Sequence, residues 1–272
     1  MMPKKSKVFV PFLIFSMLTI SAVKADTLEN VKEKGFLTCG VMSNLEPFGF
    51  IDSQGNLVGY DIDFCNAVAK HMNLKPELKQ ISLDARIPEL TQGHVDLLAA
   101  VLGYSITRAE QIDFTDQYFV SNQKIAVQND SDFNKLNDMN GKRISTIKGS
   151  SSVVYMKQAI PDVIPVSYED APSAFMAMVQ KKVDGFALSE SMMRRFITRL
   201  GPKATVRIID QPFTQEVWGL GVKKGEKPML DAVNVALNEM ESSGEAQQIF
   251  DKWMGPTTSY KMSRDFKVKS IK

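Results

Sequence analysis

Between residues 36 and 254 the chain alternates repeatedly between short apolar runs of strand length and longer stretches with helical spacing of apolar residues. That alternation is the pattern of βα units, and it implies an α/β fold with mixed, mostly parallel sheets. Residues 36–41 read as the first strand. Residues 61–71 read as an amphipathic helix with Ile62, Cys65, Val68 and Ala69 on one face. Residues 96–102 (DLLAAVL) are almost continuously apolar, as in a strand covered on both faces. A second series follows: strands at 124–128 and 143–147, a helix at 150–159, a strand at 163–166, and a helix at 170–181. Asp170 caps that helix and Pro172 sits in its first turn. Residues 190–200, 228–242 and 245–254 read as further helices, and 183–188, 206–209 and 218–222 as strands. Two similar series predict two domains.

The N-terminus follows a different pattern. Lys4, Lys5 and Lys7 precede an uncharged apolar run, 8–20, of 13 residues. That is short of the roughly 20 residues needed to span a bilayer. Val23 and Ala25 place small residues at −3 and −1 of a cleavage site, so residues 1–25 read as a secretory signal peptide. The bland alternative is a retained membrane anchor. The first cysteine is Cys39, so no cysteine stands at the mature N-terminus to take a lipid. The expectation is a soluble product outside the cytoplasm. Removing 1–25 leaves 29 basic against 31 acidic residues. Without a basic stripe, nucleic acid is not an expected partner. Two histidines leave little for a metal site, and no cofactor or metal is expected. Cys39 and Cys65, one on a strand and one on a helix, fit either a disulfide in an oxidising compartment or two buried thiols. The basic stretch 257–272 reads as a solvated tail.

A set of short motifs then occurs in order: Pro47-Phe48, Gly55, LVGYDID at 57–63, IPEL at 87–90, Gly93, SITRAEQIDFT at 105–115, GKRI at 141–144, KGSS at 148–151, VDG at 183–185, SGE at 243–245 and FDKW at 250–253. In this register the chain resembles the polar amino-acid solute-binding proteins of ABC importers, over about residues 27–256. The glutamate/aspartate-binding subgroup looks closest. The resemblance implies a two-lobe periplasmic-binding-protein fold of type II with a two-strand hinge. Lobe 1 would be discontinuous, 26–120 plus 218–272, with 121–217 as lobe 2. It implies an amino acid or related carboxylate as ligand, an ABC permease in the inner membrane as partner, and a monomer.

The resemblance also assigns residues. Arg108, in Ser105-Ile106-Thr107-Arg108, matches the arginine that pairs the ligand α-carboxylate, with Gly103 and Ser105 beside it. A guanidinium suits that role because its planar fork binds a carboxylate at two points. Ser150 and Ser151 match the lobe 2 position that meets the same carboxylate at a helix start. Arg86 matches the glutamate/aspartate subgroup and is placed for a side-chain carboxylate. The bland reading pairs it with Glu89 on its own helix. Tyr104 is a candidate for stacking on the ligand, whereas Phe48, Tyr60, Tyr118 and Phe119 read as core. The sequence departs from the family where the ammonium-binding Asp is usual: it has Ser189, with Glu190 next. Met42 and Leu45 stand where a polar residue and an aromatic are common. Either Glu190 or Glu46 would then supply the missing negative charge, or the ligand lacks a conventional α-amino group. The alternative reading is a cyclohexadienyl or arogenate dehydratase on the same fold, with Glu190 or Glu46 as general acid. An adhesin role finds no extra domain or repeat to support it.

Overall fold

The computed structural model describes residues 27–201 and 205–271. The expected signal peptide, residues 1–25, lies outside the described residues. The chain opens with α1 (Thr27–Lys34), β1 (Phe36–Val41), and three short strands, β2 (Asn44–Leu45), β3 (Gly49–Ile51) and β4 (Leu57–Val58), which form a small sheet of their own. Then follow α2 (Tyr60–His71), β5 (Lys75–Gln80), α3 (Arg86–Thr91), β6 (Leu97–Ala99), α4 (Ile106–Ala109) and the long β7 (Ile112–Gln128). The middle of the chain supplies β8 (Arg143–Ile147), α5 (Ser152–Ala159), β9 (Ile164–Tyr168), α6 (Ala171–Val179), β10 (Gly185–Ser189), α7 (Glu190–Leu200) and β11 (Val206–Ile208). It closes with β12 (Thr214–Lys223), α8 (Lys227–Ser243) and α9 (Glu245–Met254).

The main sheet runs β5-β1-β6-β12-β7-β10-β8-β9, with β11 paired to β7. At its two ends the pairings are parallel: β5 with β1, β1 with β6, and β10 with β8 with β9. In the middle, β7 and β12 are antiparallel from Ile112↔Lys223 to Gln123↔Thr214. Beyond that point β7 changes partner and pairs with β10 and β11. These two strands are therefore shared by both lobes and join them.

The sequence reading locates most of the elements and misses the long ones. Residues 36–41, 190–200 and 245–254 form the predicted elements with the predicted bounds. β7 is 17 residues, however, of which only 124–128 reads as strand. Its residues before 124 include Thr115, Gln117, Ser121 and Gln123, all buried. Their hydrogen-bond partners come from remote segments, so local apolar alternation is lost. Asp170 does cap α6, accepting the Ser173 N–H at 2.8 Å, with Pro172 in the first turn.

The expectation of a solvated tail fails. The backbone N–H of Gln117 donates to the Lys269 carbonyl at 2.8 Å, and its side chain to the Lys267 carbonyl at 2.9 Å. Val268 is buried and donates to the Glu241 carboxylate at 3.0 Å, and Arg264 ion-pairs with the same group. Phe266 packs its ring 5.3 Å from Phe119 and 5.9 Å from Phe250. The segment is a strap across the root of the hinge. Its apolar residues, Tyr260, Met262, Phe266 and Val268, are spaced too irregularly among charges to be read as an element.

Phe48, Tyr60, Phe119 and Trp218 form the aromatic centre of lobe 1, with Phe48, Phe119 and Trp218 all 4.9 Å apart pairwise. Such contacts add to the area-driven gain of burying large rings. Cys39 on β1 and Cys65 on α2 are joined as a disulfide that closes a span of 26 residues. Constraining that loop in the unfolded chain stabilises by about 3 kcal/mol. Reduction with dithiothreitol should lower the unfolding free energy by about that much, read from the denaturant midpoint. An unchanged midpoint would mean that the bond adds nothing to stability.

Candidate functional site

The lobes meet along a cleft lined from lobe 1 by residues near 42–45, 81–87 and 101–108, and from lobe 2 by residues near 147–155 and 188–192. Its deepest chamber is about 20 Å³, room for about one water, and is lined by Arg86, Gln123, Ser150, Ser151, Glu216 and Trp218 among others. Larger cavities of about 520 and 480 Å³ flank it, and both reach Arg108.

Arg86 stands at the start of α3, yet it is buried rather than exposed on its helix. Glu89 does not reach it, because Glu89 pairs with Lys79 at 2.7 Å. Instead the Arg86 guanidinium donates to four carbonyls: Leu83 at 2.8 Å, Ala100 and Val101 at 2.9 Å, and Gly149 at 3.0 Å. Arg108, half-buried on α4, donates to Gly103 at 2.8 Å and to the same Gly149 carbonyl at 3.0 Å. Two cations of lobe 1 therefore converge on one oxygen of lobe 2. Among the described residues neither forms an ion pair with a carboxylate. Burial, then the Arg108 charge, holds the Arg86 guanidinium well below its ordinary range, with Glu216 opposing. Burial does the same to Arg108, again against Glu216.

Gly149 makes that approach sterically feasible. Its φ is +77°, and a Cβ there would lie 2.6 Å from the Asp84 nitrogen of lobe 1. The loop leads into α5, where Ser150 accepts the Ser152 N–H at 3.2 Å and its hydroxyl donates to the Ser152 hydroxyl at 2.9 Å. Ser150 and Ser151 both line the deep chamber and the outer cavity. Tyr155 donates to the Tyr104 carbonyl at 2.9 Å, another link between the lobes. Ser105 caps α4 by accepting the Arg108 N–H at 3.3 Å. Tyr104 packs its ring edge-on to Phe114 at 5.3 Å, on the rim of the cleft.

The three candidates for an ammonium partner are all engaged elsewhere. The Ser189 hydroxyl accepts from Ser121 in β7 at 2.8 Å and lies 2.9 Å from the Ser191 hydroxyl, in the hinge. Glu190 pairs with Lys124 at 2.9 Å and with Arg194. Glu46 pairs across the lobes with Arg195 at 2.8 Å and Arg199 at 2.7 Å. Sequence reasoning missed Glu216 as a site residue. It lies on β12, is 4% exposed, and lines the deep chamber. Its Oε2 accepts from Gln123 at 2.7 Å and from the Trp218 indole at 3.3 Å, while Oε1 is buried with no hydrogen-bond partner. Gly103 makes room for it, since a Cβ at 103 would meet the carboxylate at 2.9–3.2 Å. The sequence signal is the Gln215-Glu216 pair before Trp218-Gly219, which resembles the glutamate/aspartate subgroup without pointing to a ligand contact.

Behind the chamber, Asp61 is fully buried and accepts from the Tyr118 hydroxyl and the Val101 N–H, both at 2.8 Å. Burial pushes its carboxyl up to about 7, against the lowering by Tyr118, the Val101 N–H and Arg86.

The family described as bacterial extracellular solute-binding proteins, family 3, matches residues 37–256. The glutamine-binding protein of a Bacillus subtilis ABC transporter is 27% identical over 236 residues, 85% of each chain. The glutamate/aspartate import solute-binding protein of Salmonella typhimurium is 23% identical over 239 residues, 84% of this chain and 79% of that one. Among solved structures, an ancestral arginine-binding protein bound to arginine superposes with a TM-score of 0.76 at 33% identity, over 81% of this chain and 99% of that one.

Asp61 gives the site a pH dependence with a definite sign. Its native value near 7 exceeds the ordinary 3.8, so the folded state holds the proton more tightly. The stability this contributes is complete below about pH 4 and is lost as pH rises through 7, a change of about 4 kcal/mol. Asp61→Asn lacks that loss, so its melting midpoint relative to the unsubstituted protein should climb between pH 4 and 8. A difference that stays flat over this interval would show that Asp61 titrates normally.

Proposed function

The chain belongs to the bacterial extracellular solute-binding proteins of family 3, and from that premise we propose that its cleft holds an acidic, glutamate- or aspartate-like amino acid. It is an amino-acid-binding protein of the ABC-importer class, a binding protein and not an enzyme, as its relatives' names have it. The observation that supports an anionic ligand is the convergence of Arg86 and Arg108 on one neutral carbonyl. Two desolvated guanidiniums that repel each other are answered only by neutral carbonyls. A carboxylate there relieves both costs. In this reading Arg108, Gly103, Ser105, Ser150 and Ser151 serve the α-carboxylate and Arg86 serves a side-chain carboxylate.

The lobes divide as 26–120 plus 218–272 and 121–217. In the present arrangement the chamber is far smaller than an amino acid, so entry requires the lobes to part at β7 and β12. Ligand contacts made only when both lobes touch it then favour closure. The protein is cut after Ala25, acts in the periplasm, works as a monomer, and hands its ligand to an ABC permease in the membrane. Among the described residues no helix is long and apolar enough to cross a membrane.

Thermal-shift screening of the twenty amino acids and small dicarboxylates should give its largest midpoint rise with glutamate or aspartate. Arg108→Ala should weaken that ligand by at least about 2 kcal/mol in a calorimetric titration, because a buried carboxylate loses its partner. An identical isotherm would take Arg108 out of the site. Arg86→Ala should cost acidic amino acids more than neutral ones, and equal losses would defeat the acidic assignment.

A further inference from the structure

An α-amino acid brings a cation as well as an anion, and the usual position for answering it is Ser189, which has no charge. We propose that Glu216, on the hinge strand β12, accepts the ligand ammonium, and that the site therefore takes zwitterionic α-amino acids with the ammonium aimed at the hinge. This rests on the reading of the cleft as an amino-acid site.

Three independent features carry the assignment. First, Glu216 is 4% exposed and lines the deepest chamber of the cleft. Second, its two oxygens are treated differently. Gln123 and Trp218 fix Oε2, and Oε1 is buried with nothing to accept from. A buried carboxylate oxygen without a donor is costly, and an ammonium with three N–H groups satisfies it. Third, the other acids near the cleft are engaged: Glu46 with two arginines, Glu190 with Lys124 and Arg194, and Asp61 with Tyr118 and the Val101 amide. Glu216 is thus the acid in the chamber with a free lone pair among the described residues.

The charges also sort in space. The guanidiniums of Arg86 and Arg108 meet at the Gly149 carbonyl, toward the outer cavities. Glu216 sits at the hinge side, against Gln123 of β7. A zwitterionic head group laid between them has its carboxylate toward the arginines and its ammonium toward β12. The competing role for Glu216 is a fixed counter-charge to the two arginines. In that role it would be indifferent to whether the ligand has an amino group.

Calorimetric titration of the full mature chain separates these roles. The probes are L-glutamate, L-glutamine and their des-amino counterparts, glutarate and glutaramate. Glu216→Gln should weaken both amino acids by about 30-fold or more, and leave the des-amino acids unchanged or tighter. Equal shifts for amino and des-amino ligands would overturn the assignment and leave the amino-acid reading standing. If neither amino acid binds the unsubstituted protein, both fall. Gly103→Ala, whose methyl would press within about 2.9 Å of Oε1, provides a second variant and should move the amino-to-des-amino ratio in the same direction. A ratio unchanged in both variants would end the proposal.

Discussion

The interaction on which this structure depends is the convergence of two arginine side chains of one lobe on the Gly149 carbonyl of the other. It ties the chamber, the cleft and the relative position of the lobes together. Besides the Tyr155–Tyr104 hydrogen bond, other links between the lobes are ion pairs at the rims, Lys148 with Asp84 at 3.1 Å and Glu46 with two arginines. The first of these is exposed, and such pairs stabilise little. The guanidinium contacts are charge-assisted, and the one from buried Arg86 is partly shielded from water. They are also frustrated, because like charges have been brought together over a dipole. A cleft closed in this way is poised to prefer an anion over its own backbone.

Around that contact, the interior holds an unusual amount of charge: Arg86, Glu216 and Asp61 are all nearly or fully buried. None forms an ion pair with another, yet Arg86 feels both carboxylates at longer range. Arg86 is held by the backbone carbonyls it donates to, and the two carboxylates by the backbone, hydroxyl, amide and indole groups that donate to them. A hydrophobic core would be more stable. The polar interior is retained where the chain's chemistry takes place, and the aromatic cluster of Phe48, Tyr60, Phe119 and Trp218 provides the rigid wall behind it.

Much of this could be read before any coordinates. The βα alternation gave the class, and the register of short motifs gave the two-lobe fold. Arg108, Ser150 and Ser151 line cavities of the cleft. What stayed hidden was hidden for a common reason. β7 before residue 124 looks too polar to be a central strand, because its buried Gln117 and Gln123 are satisfied by Lys267 and Glu216, 150 and 93 positions away. Ser189 signalled that a charge had gone missing, but nothing local to it pointed to β12. The closing strap was unreadable for the same cause, since its anchors, Glu241 and Gln117, lie on α8 and β7.

The position of β12 between β6 and β7 has a consequence for how the molecule is made. β6 pairs with β12 at Leu98↔Gly221, and β7 pairs with it along nine positions. Until residue 214 and those after it leave the ribosome, the first lobe's sheet has an unfilled edge at its centre. The intervening lobe, by contrast, has all its strands except the shared one by residue 208. Nascent chains should therefore acquire protease resistance from the inside of the sequence outward, with the earliest-synthesised strands among the last to be locked.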